Sequence, residues 1–183
     1  MKPSDIPNAI SIARIFLVLP LILLLLARNY AAALFVFCLA GISDGLDGYL
    51  ARRYNWISRL GQILDPIGDK ALLVSAYVML AWLGVLPLWL AVLVIARDVI
   101  IISGALAYHF LIGRYDMHPT LLSKTNTVLQ LMLVVLVLAA YSVYPMPQWS
   151  IEGMIILVVV ATLSSGINYV WVWGRQALRE REQ

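Results

Sequence analysis

Asp44-Gly45-Leu46-Asp47-Gly48-Tyr49-Leu50-Ala51-Arg52, followed after eight residues by Gly61-Gln62-Ile63-Leu64-Asp65-Pro66-Ile67-Gly68-Asp69, sets four aspartates into an otherwise apolar stretch. An aspartate at the centre of a membrane helix costs about 2.5–3.5 kcal/mol. Four of them without compensation cost on the order of 10 kcal/mol. Asp44, Asp47, Asp65 and Asp69 therefore sit near an aqueous face, hold cations, or both.

The surroundings make that cost relevant. Of 183 residues, 62% are hydrophobic and 13% charged, about half the ~25% charged residues usual in soluble proteins. The composition predicts an all-α integral membrane protein with a single domain over residues 1–183. A net charge of +3 without a basic polar helix argues against nucleic acid as a partner. Cys38 is the one cysteine, which excludes an internal disulfide. It lies in an apolar run, where a packing residue is expected rather than a reactive thiol. Lys2 precedes an apolar run, but no small-residue cleavage site follows it, so no secretory signal peptide is expected.

A bilayer core takes about 20 mostly apolar residues per helix, and six segments qualify. They run from Ser11 to Ala27, Ala31 to Arg53, Leu60 to Leu83, Leu86 to Ile112, Leu121 to Tyr144 and Ile151 to Trp173. The expectation is a bundle of six transmembrane helices. Pro87, Pro119, Pro145 and Pro147 fall between segments, and Pro20 falls inside the first, where it predicts a kink. Residues Met1 to Ile10 fit either a short interfacial helix or an irregular lead-in. With six spans, one side collects Lys2, Arg14, Arg52, Arg53, Arg59, Lys70, Arg114, Lys124, Arg175, Arg179 and Arg181, and the other only Arg28. Positive residues favour the cytoplasmic side, which places the termini and the aspartates there.

Residues three and four apart share a helix face. Asp44, Asp47, Gly48, Ala51 and Arg52 follow that spacing at the end of the second segment, and Gly61, Asp65 and Asp69 follow it at the start of the third. The short connection through Tyr54, Asn55 and Trp56 makes the two helices antiparallel neighbours, so their acid faces can meet. Hard divalent cations suit clustered carboxylates and phosphate oxygens. Two such ions clamp the attacking and leaving oxygens of a phosphoryl-type displacement. Gly48, Ala51 and Gly61 leave room for a diphosphate and its nucleoside, and Arg52 suits a phosphate or an acid. The lack of nearby Cys and His argues against zinc or haem. The competing reading is a structural charge network with Arg52, Arg53 and Lys70.

The pattern Asp-x2-Asp-Gly-x2-Ala-Arg-x8-Gly-x3-Asp-x3-Asp resembles the signature of the CDP-alcohol phosphatidyltransferase family at each of its fixed positions. The resemblance implies a six-helix membrane bundle, a homodimer, and two divalent cations, Mg²⁺ or Mn²⁺, bound with the CDP diphosphate. Carried over, it implies that Asp44 and Asp65 bridge the metals, Asp47 completes one site and Asp69 the other. Asp69 would also be the catalytic base for the acceptor hydroxyl. Asp44, Asp47, Gly48, Ala51, Arg52, Gly61 and Asp65 would bind the CDP group.

The acceptor is read from other stretches. Ile6-Pro7-Asn8-Ala9-Ile10-Ser11-Ile12-Ala13-Arg14 and Leu64-Asp65-Pro66-Ile67-Gly68-Asp69-Lys70 resemble the phosphatidylglycerophosphate synthase and cardiolipin synthase branch, and Ala96-Arg97-Asp98 fits both. Pro119-Thr120-Leu121-Leu122-Ser123-Lys124-Thr125-Asn126-Thr127-Val128-Leu129-Gln130 is similar to the corresponding run of eukaryotic-type cardiolipin synthases. The sister enzymes usually carry a second Lys where Asn126 stands. Glycerol 3-phosphate is a dianion and rewards that extra cation, whereas phosphatidylglycerol carries one negative charge. Arg14, Arg97, Lys124 and Asn126 are the expected acceptor-binding residues. The blander readings are a topology charge for Arg14, an internal ion pair for Arg97 with Asp98, snorkelling for Lys124 and a loop position for His118.

The expected reaction joins CDP-diacylglycerol to phosphatidylglycerol, giving cardiolipin and CMP, at the cytoplasmic face of a bacterial inner membrane or in the inner mitochondrial membrane. A phosphatidylglycerophosphate synthase is the alternative. A non-catalytic membrane scaffold of the same fold stands behind it, and a transporter is disfavoured by acids near one face rather than the midplane.

Overall fold

A computed structural model describes the backbone of residues 6–54, 59–111 and 121–180. Side chains are described there except at 6–11, 46–52, 59–67, 105–111 and 170–180. The described chain is helical: α1 (Ile6–Leu26), α2 (Tyr30–Tyr54), α3 (Arg59–Trp82), α4 (Leu88–Leu111), α5 (Leu121–Ala140) and α6 (Gln148–Glu180). No strand occurs among the described residues.

The helices match the six apolar segments, with shifted ends. Ile6–Ile10 are the first turns of α1 itself, continuous with the apolar run rather than a separate lead-in, and α1 runs through Pro20. The fifth helix stops at Ala140, short of the expected Tyr144, and the sixth continues past Trp173 to Glu180. By length and apolarity, α5 and the Gln148–Tyr169 part of α6 suffice to cross a membrane, while Ile12–Leu26 and Tyr30–Gly45 are shorter apolar stretches. Large apolar side chains face outward on every helix, among them Phe16, Phe35, Trp82, Trp89, Met132 and Ile167. Soluble surfaces rarely carry so much contiguous apolar area.

Local chemistry sets the turns. Arg28 has φ 55°, and the N–H groups of Arg28 and Asn29 donate to the carbonyls of Leu25 and Leu24, both at 2.9 Å. This is a Schellman cap closing α1. Asn29 then starts α2, its Oδ1 accepting the Ala32 N–H at 3.1 Å. The end of α3 repeats the cap with Gly84 at φ 72°: Gly84 and Val85 donate to Ala81 and Leu80 at 3.1 and 2.9 Å. Pro87 and Pro147 directly precede α4 and α6, where a missing N–H costs little.

The chain divides into two compact units, Met1–Pro87 with Val134–Met146, and Leu88–Leu133 with Pro147–Gln183. In the first, α1 packs on both α2 and α3. Its buried residues follow helical spacing: Leu21 and Leu25 on α1; Ala33, Phe37 and Ala40 on α2; Leu72, Ala76 and Leu80 on α3. The alanines allow close helix approach, the way helices pack without a hydrophobic drive from water. In the second unit α4 packs on α6. Its seams run Leu90–Val94–Arg97 on α4, Asn126–Gln130–Leu133 on α5 and Val158–Thr162–Ser165 on α6.

Candidate active site

The first unit's seams become polar at one end. On α2 the stripe Ala33–Phe37–Ala40 advances by four, three and then four residues to Asp44. On α3 the stripe read backwards from Leu80 through Ala76 and Leu72 reaches Asp69. On α1 the stripe from Leu25 through Leu21 reaches Arg14, one heptad earlier. Because α1 and α2 run antiparallel through a tight cap, and α3 returns, the three polar positions fall at the same end. Helical periodicity, once α1 packs on α2 and α3, aims Arg14, Asp44 and Asp69 at one point.

Arg14 Nη1 lies 2.6 Å from Asp44 Oδ1 and also donates to Asp69 Oδ1. The arginine side chain is 1% exposed, while the two acids are 41% and 45% exposed. The cation is rooted inside the helix packing, and the carboxylates open outward from it. No described atom lies within 4 Å of a Cβ built at Gly41 or Gly45, so among the described residues nothing fills the flank of α2 beside Asp44.

Two of the four sequence-predicted acids are therefore brought together. The backbones of Asp47, Gly48, Ala51 and Arg52 continue α2, and those of Gly61 and Asp65 open α3; their side chains lie outside the described residues. Among the described residues no group of three or more His, Cys, Asp and Glu side chains converges. Arg14, expected as an acceptor-phosphate ligand or a topology charge, pairs with these two acids. Arg14 is one member of a charge network at these acids, and of the cations expected there the Arg52 side chain lies outside the described residues.

A second polar cluster occupies the other unit. Arg97 Nη1 donates to Asp98 Oδ1 at 2.8 Å, so the internal ion pair is present. Its Nη2 donates to Ser123 Oγ at 2.7 Å and Ser165 Oγ at 2.6 Å. One turn along α5 and α6, Gln130 Nε2 donates to Thr162 Oγ1 at 3.4 Å, and Thr162 Oγ1 donates to Asn126 Oδ1 at 2.9 Å. Arg97, Asp98, Asn126, Gln130, Thr162 and Ser165 are all buried, whereas Lys124 is exposed. Among the described residues, Arg97 Nε and Asn126 Nδ2 are buried donors without an acceptor. Buried polar groups normally find partners, so both mark places for a polar ligand or water. Ser165 and Thr162 had drawn no attention in the sequence. The available signal was their spacing of three within an apolar helix, matching Ser123 and Asn126 opposite.

The chain matches the model of the CDP-alcohol phosphatidyltransferase family over residues 4–166. It is 37% identical over 155 residues to the CMP-forming cardiolipin synthase of Rattus norvegicus, an overlap of 76% of this chain and 51% of that one. To the CMP-forming cardiolipin synthase of Streptomyces coelicolor it is 43% identical over 113 residues, 57% of this chain and 52% of the relative. A CDP-diacylglycerol–glycerol-3-phosphate 3-phosphatidyltransferase of Rickettsia typhi is 34% identical over 174 residues, 91% of this chain and 95% of the relative. The chain spans about half the length of the two cardiolipin synthases that it matches.

Proposed function

This chain belongs to the CDP-alcohol phosphatidyltransferase family, and we propose that it is a cardiolipin synthase, transferring a phosphatidyl group from CDP-diacylglycerol to phosphatidylglycerol with release of CMP. The observation that carries the reading is the meeting of Asp44 and Asp69, the first and last acids of the motif, at one guanidinium nitrogen. Residues so far apart in sequence converge as a carboxylate site requires.

The donor set fits a hard cation: carboxylate oxygens from two helices, partly open to solvent, with no His or Cys among their described partners. Asp44, Asp47, Asp65 and Asp69 would hold it. When bound, two Mg²⁺ or Mn²⁺ ions supply neutralisation of the diphosphate and of the departing CMP. The protein's own residues do the rest. Gly48, Ala51, Arg52 and Gly61 receive the cytidine nucleotide along the small-residue face. Asp69 accepts the proton of the acceptor's glycerol hydroxyl, whose oxygen forms a bond to the phosphorus bearing diacylglycerol. The bond from that phosphorus to the bridging oxygen breaks, and CMP leaves with its electron pair. Confinement of both lipids to one leaflet raises their effective concentration. We assign the acceptor phosphate to Arg97, Lys124 and Asn126. The buried Asn126 Nδ2 and Arg97 Nε donors support that assignment. Six membrane spans with the acids at the cytoplasmic face of a bacterial inner membrane, and a homodimer, complete the proposal.

Correspondence over 91% of this chain and 95% of the rickettsial relative favours a second reading, with glycerol 3-phosphate as acceptor. Purified protein in liposomes, given Mg²⁺ or Mn²⁺ and CDP-diacylglycerol, decides between them when each acceptor is offered separately. Cardiolipin with phosphatidylglycerol alone supports the first reading. Product with glycerol 3-phosphate alone transfers the chain to the second, and no CMP with either acceptor refutes both.

A further inference from the structure

Arg14 is the most deeply buried charged side chain described, at 1% exposed, and its Nη1 engages Oδ1 of both Asp44 and Asp69. A divalent ion held by those carboxylates would share with the arginine the negative charge of the same two acids. It would approach to about 2.0–2.1 Å if Mg²⁺, which brings it close to a fixed positive charge. Like charges at such separations repel, and the repulsion is weakly screened on the buried side of the site. The guanidinium cannot relieve it by losing a proton. We propose that Arg14 is a tethered cation that competes with divalent metal for Asp44 and Asp69 and so sets the metal affinity of the acidic site.

The placement suits the task. Uncompensated acids among apolar helices repel one another and resist burial. A guanidinium is weakly hydrated and planar, and it presents several donors in a rigid fork. It compensates two helices' acids together from inside the packing, while those acids stay 41% and 45% exposed. The cost of displacing it keeps metal binding reversible. The inference rests on the metal reading of the acids given above.

The test is Mn²⁺ binding to the purified full chain, read from the electron paramagnetic resonance signal of free Mn²⁺, with thermal unfolding followed in EDTA and in Mn²⁺. Arg14→Gln is expected to bind Mn²⁺ at least about tenfold more tightly than the parent protein, about 1.4 kcal/mol. It is also expected to melt lower in EDTA and to gain more from Mn²⁺. Arg14→Lys keeps the charge and is expected to remain within about threefold of the parent affinity. That keeps the test decisive where the glutamine variant does not fold. Equal or weaker Mn²⁺ binding by Arg14→Gln, or a loss of about tenfold in Arg14→Lys, overturns the proposal and makes Arg14 a positioning residue for the acids. A parent protein that binds no Mn²⁺ fails differently, taking the metal reading down as well.

Discussion

Asp44 and Asp69, on different helices, meet at a single nitrogen: Arg14 Nη1 lies 2.6 Å from Oδ1 of Asp44 and donates also to Oδ1 of Asp69. A base that works on a hydroxyl must present a free oxygen. For Asp69 to act as the proposed base, the proton must go to an oxygen that Arg14 does not engage, or the Arg14 contact must open when substrate arrives. An asparagine in its place keeps the shape and loses the basic oxygen.

Asp69→Asn should lower the rate of CMP release by at least about a hundredfold, since a general base contributes roughly 10²–10⁴. CDP-diacylglycerol binding, read by equilibrium dialysis of labelled donor, should remain measurable. A near-normal rate in the variant removes Asp69 as the base.

Asp44→Ala should abolish the response of the rate to added Mn²⁺ or Mg²⁺, because a carboxylate proposed to hold the metal is lost with its charge. A titration of rate against metal that superimposes on the parent curve refutes the assignment of this acid to a metal.

Asn126→Lys tests the acceptor. The change inserts a cation where Thr162 now donates to a neutral amide oxygen. A dianionic acceptor gains from it and a phosphodiester does not. The ratio of kcat/KM for phosphatidylglycerol over glycerol 3-phosphate should fall by about tenfold or more, roughly 1.4 kcal/mol. An unchanged ratio moves acceptor choice to other residues.

Arg97→Met should destabilise the protein by about 3 kcal/mol, the cost of taking a partner from a buried ion pair. The pair is 5% and 6% exposed, so solvent screening is slight. Adding Asp98→Asn should recover part of the loss. Thermal unfolding in detergent gives both values, and additivity of the two changes would contradict the pairing.

The two helix caps make a matched comparison. Gly84→Ala should cost about 1 kcal/mol, because φ 72° penalises a Cβ. No described atom stands within 4 Å of that Cβ, so the loss is one of backbone conformation alone. Arg28→Gly, at φ 55°, should change stability in the opposite direction by a similar amount. Equal and negligible shifts at both sites would remove the caps as determinants of the turns.

Much of this was legible in the linear chain. The apolar runs marked six helices within a few residues, since burying backbone polar groups leaves helices as the economical solution for long apolar segments. The spacing of Asp44 and Asp69 on their helices was readable because helical periodicity is local. Helix ends were less so. The stop at Ala140 and the continuation of α6 to Glu180 depend on capping and packing as well as on apolarity.

The sequence by itself determined the helices, the acid motif and the family, because each is written in short-range spacing and residue type. Only the tertiary structure brought Arg14 to the acids. Arg52, Arg53 and Lys70 stand nearer to them along the chain, and Arg14 reaches Asp44 and Asp69 from a third helix. It does so because α1 packs between α2 and α3 with its seam in register with theirs. The same holds for Ser165 and Thr162, ordinary small polar residues until α6 brings them to Arg97 and Asn126. A buried charge takes its partner from whichever helix the packing presents, and the distance along the chain does not enter that choice.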